Sequence, residues 1–285
     1  MRAAKAVRWP SKAYKRAGMA RRSGYRPVSF PPYAPAAALL LFLVLIVPSR
    51  AIGRDCTKPT DLPRSESGQP RNISGLKSEL LYYQCSGAYE REFHRVIDKA
   101  ISYLNARVKK GGKLALVLDI DETSLSNWEE MKVNDFGLIE DGPCELAARD
   151  ADGWRIPLPN KPCGFGAWIL SADAKPLDTL RLFKAAKESN VAIFFVTGRK
   201  DDEDHKVLNA TAENLHKAGY STWTELMLEP GDFTGTVQEF KTARRKEIEA
   251  KAYTIIANVG DQYSDLKGGY SERMFKLPNP FYFVP

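Results

Sequence analysis

The sequence predicts an α/β fold in which a mainly parallel sheet carries helices on both faces. Three short apolar runs without polar alternation, at 114–118, 191–196 and 255–259, are typical of strands buried on both sides. Helical stretches separate these runs, and strands that alternate with helices favour parallel pairing. The hydrophobic share of 44% is high enough for a packed core, which excludes a largely disordered chain.

A basic leader precedes this fold. Residues 1–53 contain ten Lys and Arg and no Asp or Glu, whereas the remaining residues carry 32 basic and 35 acidic side chains. The formal charge of +7 therefore belongs to the leader, and the rest of the chain does not favour binding to a nucleic-acid polymer. The run Ala36–Val47 has twelve apolar residues, fewer than the roughly 20 that span a bilayer. It predicts a cleaved signal peptide and a secreted or periplasmic protein; an uncleaved leader that anchors the chain to a membrane is the alternative.

Residues 54–110 are expected to form an irregular arm and an N-terminal helical segment. Pro, Ser, Arg and Gly are frequent up to Ser74, which indicates irregular structure. Apolar residues then recur at helical spacing between Leu76 and Val108. This pattern predicts one long amphipathic helix, alone or after a shorter one, that ends at Gly111-Gly112.

Residues 111–285 contain the predicted sheet. Between and after its three apolar runs, helices are predicted at 177–189, 204–218 and 242–252, and a further short strand at 225–228. The stretch from about 128 to 173 lacks this rhythm and is rich in Gly, Pro, Trp and acidic residues. It is predicted to be a small cap inserted beside the carboxyl edge of the sheet.

Four cysteines follow the leader, an even number that is compatible with two disulfides in an exported chain. The pairing Cys144–Cys163 is the one we expect, because it would close a loop rich in Gly and Pro. Four free thiols are the alternative. The spacing of the cysteines and histidines does not resemble a zinc site.

Acidic side chains follow two of the three apolar runs. Asp119 and Asp121 come after the first run, Thr197-Gly198-Arg199 after the second, and Asp261 and Asp265 after the third. Ligands of open α/β sheets bind outside the carboxyl ends of the strands, so these side chains are expected to meet there. Crowded carboxylates without His or Cys favour a hard cation, and Mg²⁺ is the best candidate. A buried Asp-x-Asp pair can also be a structural calcium loop or a helix cap.

These stretches resemble a known family. The run DIDET at 119–123 matches the first motif of the haloacid dehalogenase (HAD) superfamily of phosphohydrolases, and Thr197-Gly198-Arg199 resembles its second motif. Gly260-Asp261 and Asp265 resemble its last motif, and Lys241 lies in the interval where the superfamily has its lysine. The longer stretches TGRKDD, VGDQYSDL and FKLPNPFYFVP are similar to the secreted acid phosphatases of the class C and plant vegetative-storage-protein group, subfamily IIIB. The resemblance covers about residues 75–285 and implies a three-layer, Rossmann-like HAD core with a cap inserted after the first motif.

The resemblance also implies a division of roles. Asp119 would be the nucleophile that becomes an aspartyl-phosphate, and Asp121 the general acid and base. Magnesium would be held by Asp119, the backbone carbonyl of Asp121 and Asp261, with Asp265 binding through water or supporting Asp261. Lys241 would offset negative charge, with Lys246 as the alternative.

Substrate contacts are implied at the same edge. Thr197 and backbone N–H groups at Gly198 would bind phosphoryl oxygens. Arg199 would either touch the substrate or form a salt bridge with Asp201 or Asp202. In the predicted cap, Trp128 directly follows the first motif, and its ring is expected to stack on an aromatic leaving group.

The sequence therefore predicts an exported, Mg²⁺-dependent acid phosphatase that hydrolyses small phosphomonoesters. A 5′-nucleotidase or phosphotransferase of the same fold is the alternative within the enzyme class. A storage or binding protein with weak activity is the alternative outside it. The oligomeric state is left open.

Overall fold

The computed structural model describes residues 75–137, 139, 142–143, 148–149, 155–156, 162–201 and 203–284. The predicted leader and arm, together with much of the predicted cap, lie outside these residues. Among the described helices, none combines the length and the apolar composition that a membrane crossing requires.

The described residues form eight α-helices and eleven strands. The helices are α1 Gly75–Cys85, α2 Ala88–Arg107, α3 Trp128–Val133, α4 Phe165–Ser171, α5 Thr179–Glu188, α6 Lys206–Lys217, α7 Val237–Ala250 and α8 Tyr263–Leu266. The strands are β1 Leu114–Leu118, β2 Leu125–Ser126, β3 Gly142–Pro143, β4 Ala148–Arg149, β5 Arg155–Ile156, β6 Pro162–Cys163, β7 Lys175–Pro176, β8 Ala192–Asp201, β9 Glu225–Pro230, β10 Thr254–Gly260 and β11 Met274–Lys276.

Five of these strands form the central sheet, in the order β11-β10-β1-β8-β9. All four neighbouring pairs are parallel, which confirms the predicted α/β fold with a mainly parallel sheet. From β1 the chain builds outward through β8 to β9, and it then returns to β10 on the other side of β1. The strand order therefore reverses between β1 and β10, which is where open α/β sheets bind their ligands.

Side chains of the central strands alternate between two cores, one on each face of the sheet. Leu116 and Leu118 of β1 pack with buried residues of α2 and α5 on one face. Val117 packs with Phe240 and Ile248 of α7 on the other. Burying each such side chain contributes about 1.5–3 kcal/mol, so helices on both faces hold the sheet.

The predicted elements are present, with shifted ends that have local causes. Of the two predicted N-terminal arrangements, the structure has the long helix α2 after the shorter α1, and Gly87 between them takes a left-handed conformation with φ of 70°. The chain turns after α2 at Gly111, where φ is also 70°. Helix α7 begins at Val237, before the predicted residue 242, because Thr236 and Glu239 form a capping box there.

Cys85 at the end of α1 is disulfide-bonded. This confirms that the chain forms a disulfide. The pairing Cys144–Cys163 falls on side chains outside the described residues and stays a prediction.

Candidate active site

The ends of β1 and β10 bring three aspartates together. Asp119 follows β1, and its amide donates to the Val259 carbonyl of β10 at 3.0 Å. Asp261 follows β10 directly. Asp265 lies in the first turn of α8, where its Oδ2 accepts from the Gln262 amide at 2.7 Å. The point at which the strand order reverses thus carries the acidic group that the sequence predicts there.

Asp119, Asp261 and Asp265 form a buried cluster in which one carboxylate oxygen from each lies within 4.8 Å of the others. Burial, with added repulsion from the neighbouring carboxylates, raises the pKa of Asp119 although Lys241 opposes it. The same causes raise the pKa of Asp261 to about 7 against the donors around it. A divalent cation would relieve this repulsion, and an all-carboxylate donor set fits a hard cation such as Mg²⁺.

Lys241 is the ammonium closest to this cluster among the described contacts. It lies on α7 and is buried, and its Nζ donates to Oδ1 of Asp119 and Oδ1 of Asp265, both at 2.6 Å. Burial alone would lower the pKa of Lys241, but the two carboxylates outweigh it and raise that pKa. Lys246, the alternative from the sequence, is exposed on the same helix.

Asp121 takes part in a different set of contacts. Nη2 of Arg199 donates to its Oδ1 at 2.7 Å and Nε to its Oδ2 at 3.0 Å, and Nδ2 of Asn127 donates to Oδ1 at 3.0 Å. Burial alone would raise the pKa of Asp121, but Arg199 and Asn127 lower it. Among the described carboxylates that could hold an ion, the side chain of Asp121 is not grouped with the cluster. Metal coordination by Asp121 is thereby limited to its backbone carbonyl, and this coordination stays a prediction.

Arg199 and Thr197 occupy different positions at the end of β8. Arg199 is buried, lines the cavity described below, and pairs with Asp121 rather than with Asp201. Thr197 is also buried, and its Oγ1 accepts from the Arg199 amide at 3.2 Å. Thr197 does not line the cavity, whereas Gly198 does. The structure therefore brings Gly198 and Arg199 to the cavity and leaves Thr197 buried outside its lining.

A cavity of about 320 Å³ opens above the cluster. Its floor holds the carboxylates of the cluster and of Asp121, together with Lys241 and Arg199. Its walls are largely apolar and come from α3 and the loop after it, the start of α4, and the C-terminal residues. They include Met131, Phe136, Phe165, Phe281, Tyr282 and Phe283. A charged floor under apolar walls suits a small molecule with one anionic group and an uncharged remainder.

The predicted stacking role of Trp128 is not met by this arrangement. Trp128 is not among the residues that line the cavity. Its ring packs against Phe136 and Phe281, with centroids 5.8 and 5.3 Å away, and both of those side chains are in the wall. Since α3 begins at Trp128 and turns the ring towards these two aromatic side chains, Trp128 supports the wall from behind.

Sequence reasoning gave no role to Glu122, although it lies inside the first motif. Glu122 is fully buried with a positive φ of 49°. Its Oε2 accepts from the Tyr89 hydroxyl at 3.1 Å, and its Oε1 accepts from the Asn127 amide. Burial is the main cause that raises the pKa of Glu122 to about 8. The sequence contained one signal for such a role, because an acidic residue stands in a loop that the fold must bury between its two cores.

Two amide side chains near the C-terminus were also missed. Asn279 Nδ2 and Gln262 Nε2 both donate to Asp261 Oδ2 at 2.7 Å. The hydroxyl of Thr123 donates to Asp261 Oδ1 at 3.0 Å. These residues hold the carboxylate in place. Asn279 lies after β11 in the stretch FKLPNPFYFVP, but no periodic pattern marks its side chain as a partner of Asp261, so its contact is identified only from the fold.

Comparisons with known proteins show the family of this chain. The family described as HAD superfamily, subfamily IIIB (Acid phosphatase), matches residues 74–285. Acid phosphatase 1 of Solanum lycopersicum is 31% identical over 206 residues, which cover 71% of this chain and 72% of that protein.

Other relatives match over shorter stretches. The stem 28 kDa glycoprotein of Glycine max is 37% identical over 125 residues, or 42% of this chain and 48% of that protein. Vegetative storage protein 1 of Arabidopsis thaliana is 32% identical over 126 residues, or 44% of this chain and 45% of that protein. The solved structure of the class C acid phosphatase from Bacillus anthracis has a TM-score of 0.52 and 22% identity. It covers 74% of this chain and 87% of that chain, and it shows the likeness in fold.

Proposed function

The chain belongs to the acid phosphatases of HAD subfamily IIIB, and from this premise we propose an exported, Mg²⁺-dependent phosphatase that acts through an aspartyl-phosphate. Its substrates are small phosphomonoesters. The observation that carries the proposal is the buried set of Asp119, Asp261, Asp265 and Lys241 at the floor of the cavity. Phosphoryl transfer needs mainly positioning and charge stabilisation, and this set offers both.

Asp119 is the nucleophile in this proposal. Lys241 holds its Oδ1, so Oδ2 is the oxygen that attacks phosphorus. A bond between Oδ2 and phosphorus forms while the bond between phosphorus and the ester oxygen breaks. Lys241 orients Asp119 and reduces the repulsion between this carboxylate and the incoming phosphate. Bound magnesium, for which Asp119, Asp261 and Asp265 are the candidate ligands, would supply charge stabilisation for the phosphoryl oxygens.

Asp121 moves the proton. In the first step its carboxyl group gives a proton to the departing ester oxygen, which leaves as an alcohol. In the second step the same carboxylate takes a proton from a water molecule. That water attacks the phosphorus of the aspartyl-phosphate, and the bond to Asp119 breaks to release phosphate. Because Arg199 and Asn127 lower the pKa of Asp121, the acid step is favoured at low pH.

Export is proposed on two observations. The basic leader with its short apolar run is typical of a signal peptide. Cys85 is disulfide-bonded, and disulfides persist mainly in oxidising compartments. A secreted or periplasmic location agrees with both.

A storage role is the second candidate, because vegetative storage proteins are among the relatives. The match to vegetative storage protein 1 spans less than half of that protein. In the present chain Asp119 contacts Lys241, a pairing that a protein used only for storage does not need. We therefore place catalysis first.

The decisive experiment is the variant Asp119→Asn, assayed for phosphate release from nitrophenyl phosphate with Mg²⁺. We expect activity to fall by about a thousandfold or more, because the amide is a poor nucleophile. Asp98→Asn, on the exposed face of α2, is the matched control and should keep full activity. Acid quenching with labelled substrate should trap phosphate on the parent enzyme and not on Asp119→Asn. Undiminished turnover by Asp119→Asn would refute the mechanism.

The substrate class is tested separately on the parent enzyme. Rates on an aryl phosphate, a sugar phosphate and a nucleoside monophosphate, each with and without an added alcohol acceptor, distinguish a general phosphatase from a 5′-nucleotidase or a phosphotransferase. Comparable rates on all three esters, without transfer to the alcohol, would support the general phosphatase.

A further inference from the structure

Asn127 lies where the first motif meets the helix α4 of the predicted cap. It is 1% exposed, and besides its carbonyl, which accepts from the Met131 amide of α3, three of its atoms make hydrogen bonds around the site. Its Nδ2 donates to Asp121 Oδ1 at 3.0 Å, and its Oδ1 accepts from the Trp168 indole N–H at 2.9 Å. Its backbone amide donates to Glu122. One side chain thus joins an indole of α4 to the carboxylate that transfers protons in the proposed mechanism.

The chemistry of the indole fixes which way the Asn127 amide faces. A Trp N–H can donate and cannot accept, so the atom of Asn127 that meets Trp168 must be the carbonyl oxygen. The NH₂ group then faces Asp121. The reversed amide would set its NH₂ group against the indole N–H and its oxygen against a carboxylate. Trp168 therefore excludes the orientation that would repel Asp121.

This orientation makes the two oxygens of Asp121 unequal. Oδ1 accepts from Asn127 Nδ2 and from Arg199 Nη2, at 3.0 and 2.7 Å. Oδ2 has Arg199 Nε at 3.0 Å as its strongest described donor, and Nε is shared with Oδ1 at 3.3 Å. The lone pairs of Oδ1 are more fully occupied. Oδ2 is then the oxygen that can carry a proton to the leaving group.

We propose that Trp168 is a positioning residue for proton transfer, because it holds the Asn127 amide in the orientation that leaves Oδ2 of Asp121 available. The proposal rests on the proposed function, in which Asp121 is the general acid. Trp168 does not touch the reacting atoms, and it acts only through Asn127. It gives α4 a part in the chemistry as well as in the cavity wall.

The variant Trp168→Phe tests this, since it removes the N–H and keeps most of the ring. Trp128→Phe is the matched control: Trp128 also packs beside the cavity wall, and no hydrogen bond from its ring is present among the described contacts. The readout is kcat/KM for a series from nitrophenyl phosphate, whose leaving group departs without help, to an alkyl phosphate, whose leaving group needs a proton. This ratio reports the step that breaks the ester bond.

We expect Trp168→Phe to lower kcat/KM about tenfold for the alkyl ester and less than about threefold for the nitrophenyl ester, as for a weakened general acid. Trp128→Phe should change both esters by the same factor. Equal losses on the two esters in Trp168→Phe would overturn the inference. Asn127→Ala should show the same selective loss, and it serves as the test if Trp168→Phe does not fold.

Asp121→Asn, measured on the same series, separates this inference from the proposed function. A strong selective loss in Asp121→Asn together with a uniform loss in Trp168→Phe would refute the role of Trp168 alone. No selective loss in Asp121→Asn would refute Asp121 as the general acid and the inference with it.

Discussion

The rim and the terminal segment bound the same cavity and are held by different forces. The rim is the part of the sheet edge that carries Asp119, Asp261 and Asp265 with Lys241, and it forms the floor of the cavity. The terminal segment is residues 277–284. In the rim, charged groups are buried and joined at 2.6 Å. In the terminal segment, amide hydrogen bonds and packed aromatic rings hold the chain in place. Two strand ends and two helices position the charged groups, whereas an irregular segment shapes the space beside them.

The two regions are nevertheless joined through one carboxylate. Asn279 donates to Asp261 Oδ2 at 2.7 Å, and its own Oδ1 accepts from the Phe281 amide at 2.8 Å. Gln262 donates to the same Asp261 oxygen, and its Oε1 accepts from the Val284 amide at 3.2 Å. We therefore expect a disturbance in the terminal segment to reach the rim, and the size of that effect can be measured against a disturbance of the rim itself.

The largest effect is expected from Lys241→Met in the rim. The variant leaves the buried carboxylates of Asp119 and Asp265 without their ammonium partner, which costs about 3–5 kcal/mol of unfolding free energy. Activity should fall by about a hundredfold or more because the charge that orients Asp119 is lost. Urea unfolding in a chelator and nitrophenyl phosphate turnover with Mg²⁺ measure the two effects.

Lys246→Met is the matched control, because Lys246 is exposed on the same helix. It should change stability by less than about 0.5 kcal/mol and leave turnover intact. If Lys246→Met and Lys241→Met lost activity equally, the site lysine would have been misidentified.

The two regions also differ in how far the sequence could predict them. The aspartates of the rim were predictable because short buried runs locate the strands, and the residues that follow parallel strands must share one edge. Lys241 was predictable only through the resemblance to the family. The cavity wall was not, since Phe281 to Val284 follow no periodic pattern and reach the cavity only through the tertiary fold. Trp128 shows the same limit: its place in the chain suggested a stacking role, but packing on Phe136 and Phe281 turns it away from the cavity.

Glu122 belongs to the first motif and, together with Asp119 and Asp261, should contribute to the pH dependence of stability in the metal-free protein. Its pKa is about 8 in the folded protein, compared with 4.5 for an ordinary Glu. The folded state therefore holds a proton that the unfolded chain releases, so the stabilisation is complete below pH 4.5 and is lost as the pH rises to about 8. Glu122 contributes a slope of about 1.4 kcal/mol per pH unit within this window.

Glu122→Gln should remove this slope, because Gln resembles the protonated acid and its NH₂ group can donate to the Tyr89 hydroxyl. Measured by urea unfolding in a chelator, the variant should gain on the parent protein steadily from pH 5 to pH 8. Glu129→Gln, at an exposed position on α3, should follow the parent at every pH. Parallel curves for Glu122→Gln and the parent would show that Glu122 is already ionised in the folded protein.

The smallest effect is expected from Asn279→Ala in the terminal segment, and it tests whether that segment acts on the rim. Asp261 keeps its donors from Gln262 and Thr123, so the loss of one hydrogen bond should cost only about 1 kcal/mol of unfolding free energy. Because Asn279 lowers the pKa of Asp261, its removal makes the carboxylate hold a proton more tightly, and Mg²⁺ must compete with that proton. Calorimetric titration should show Mg²⁺ binding weakened by about tenfold at neutral pH and by less at higher pH, as expected for a residue that supports a ligand.

Asn105→Ala, at an exposed site on α2, is the matched control and should bind Mg²⁺ like the parent. Unchanged Mg²⁺ affinity in Asn279→Ala, with a raised KM for aryl phosphates, would mean that the terminal segment shapes the cavity and leaves the rim untouched.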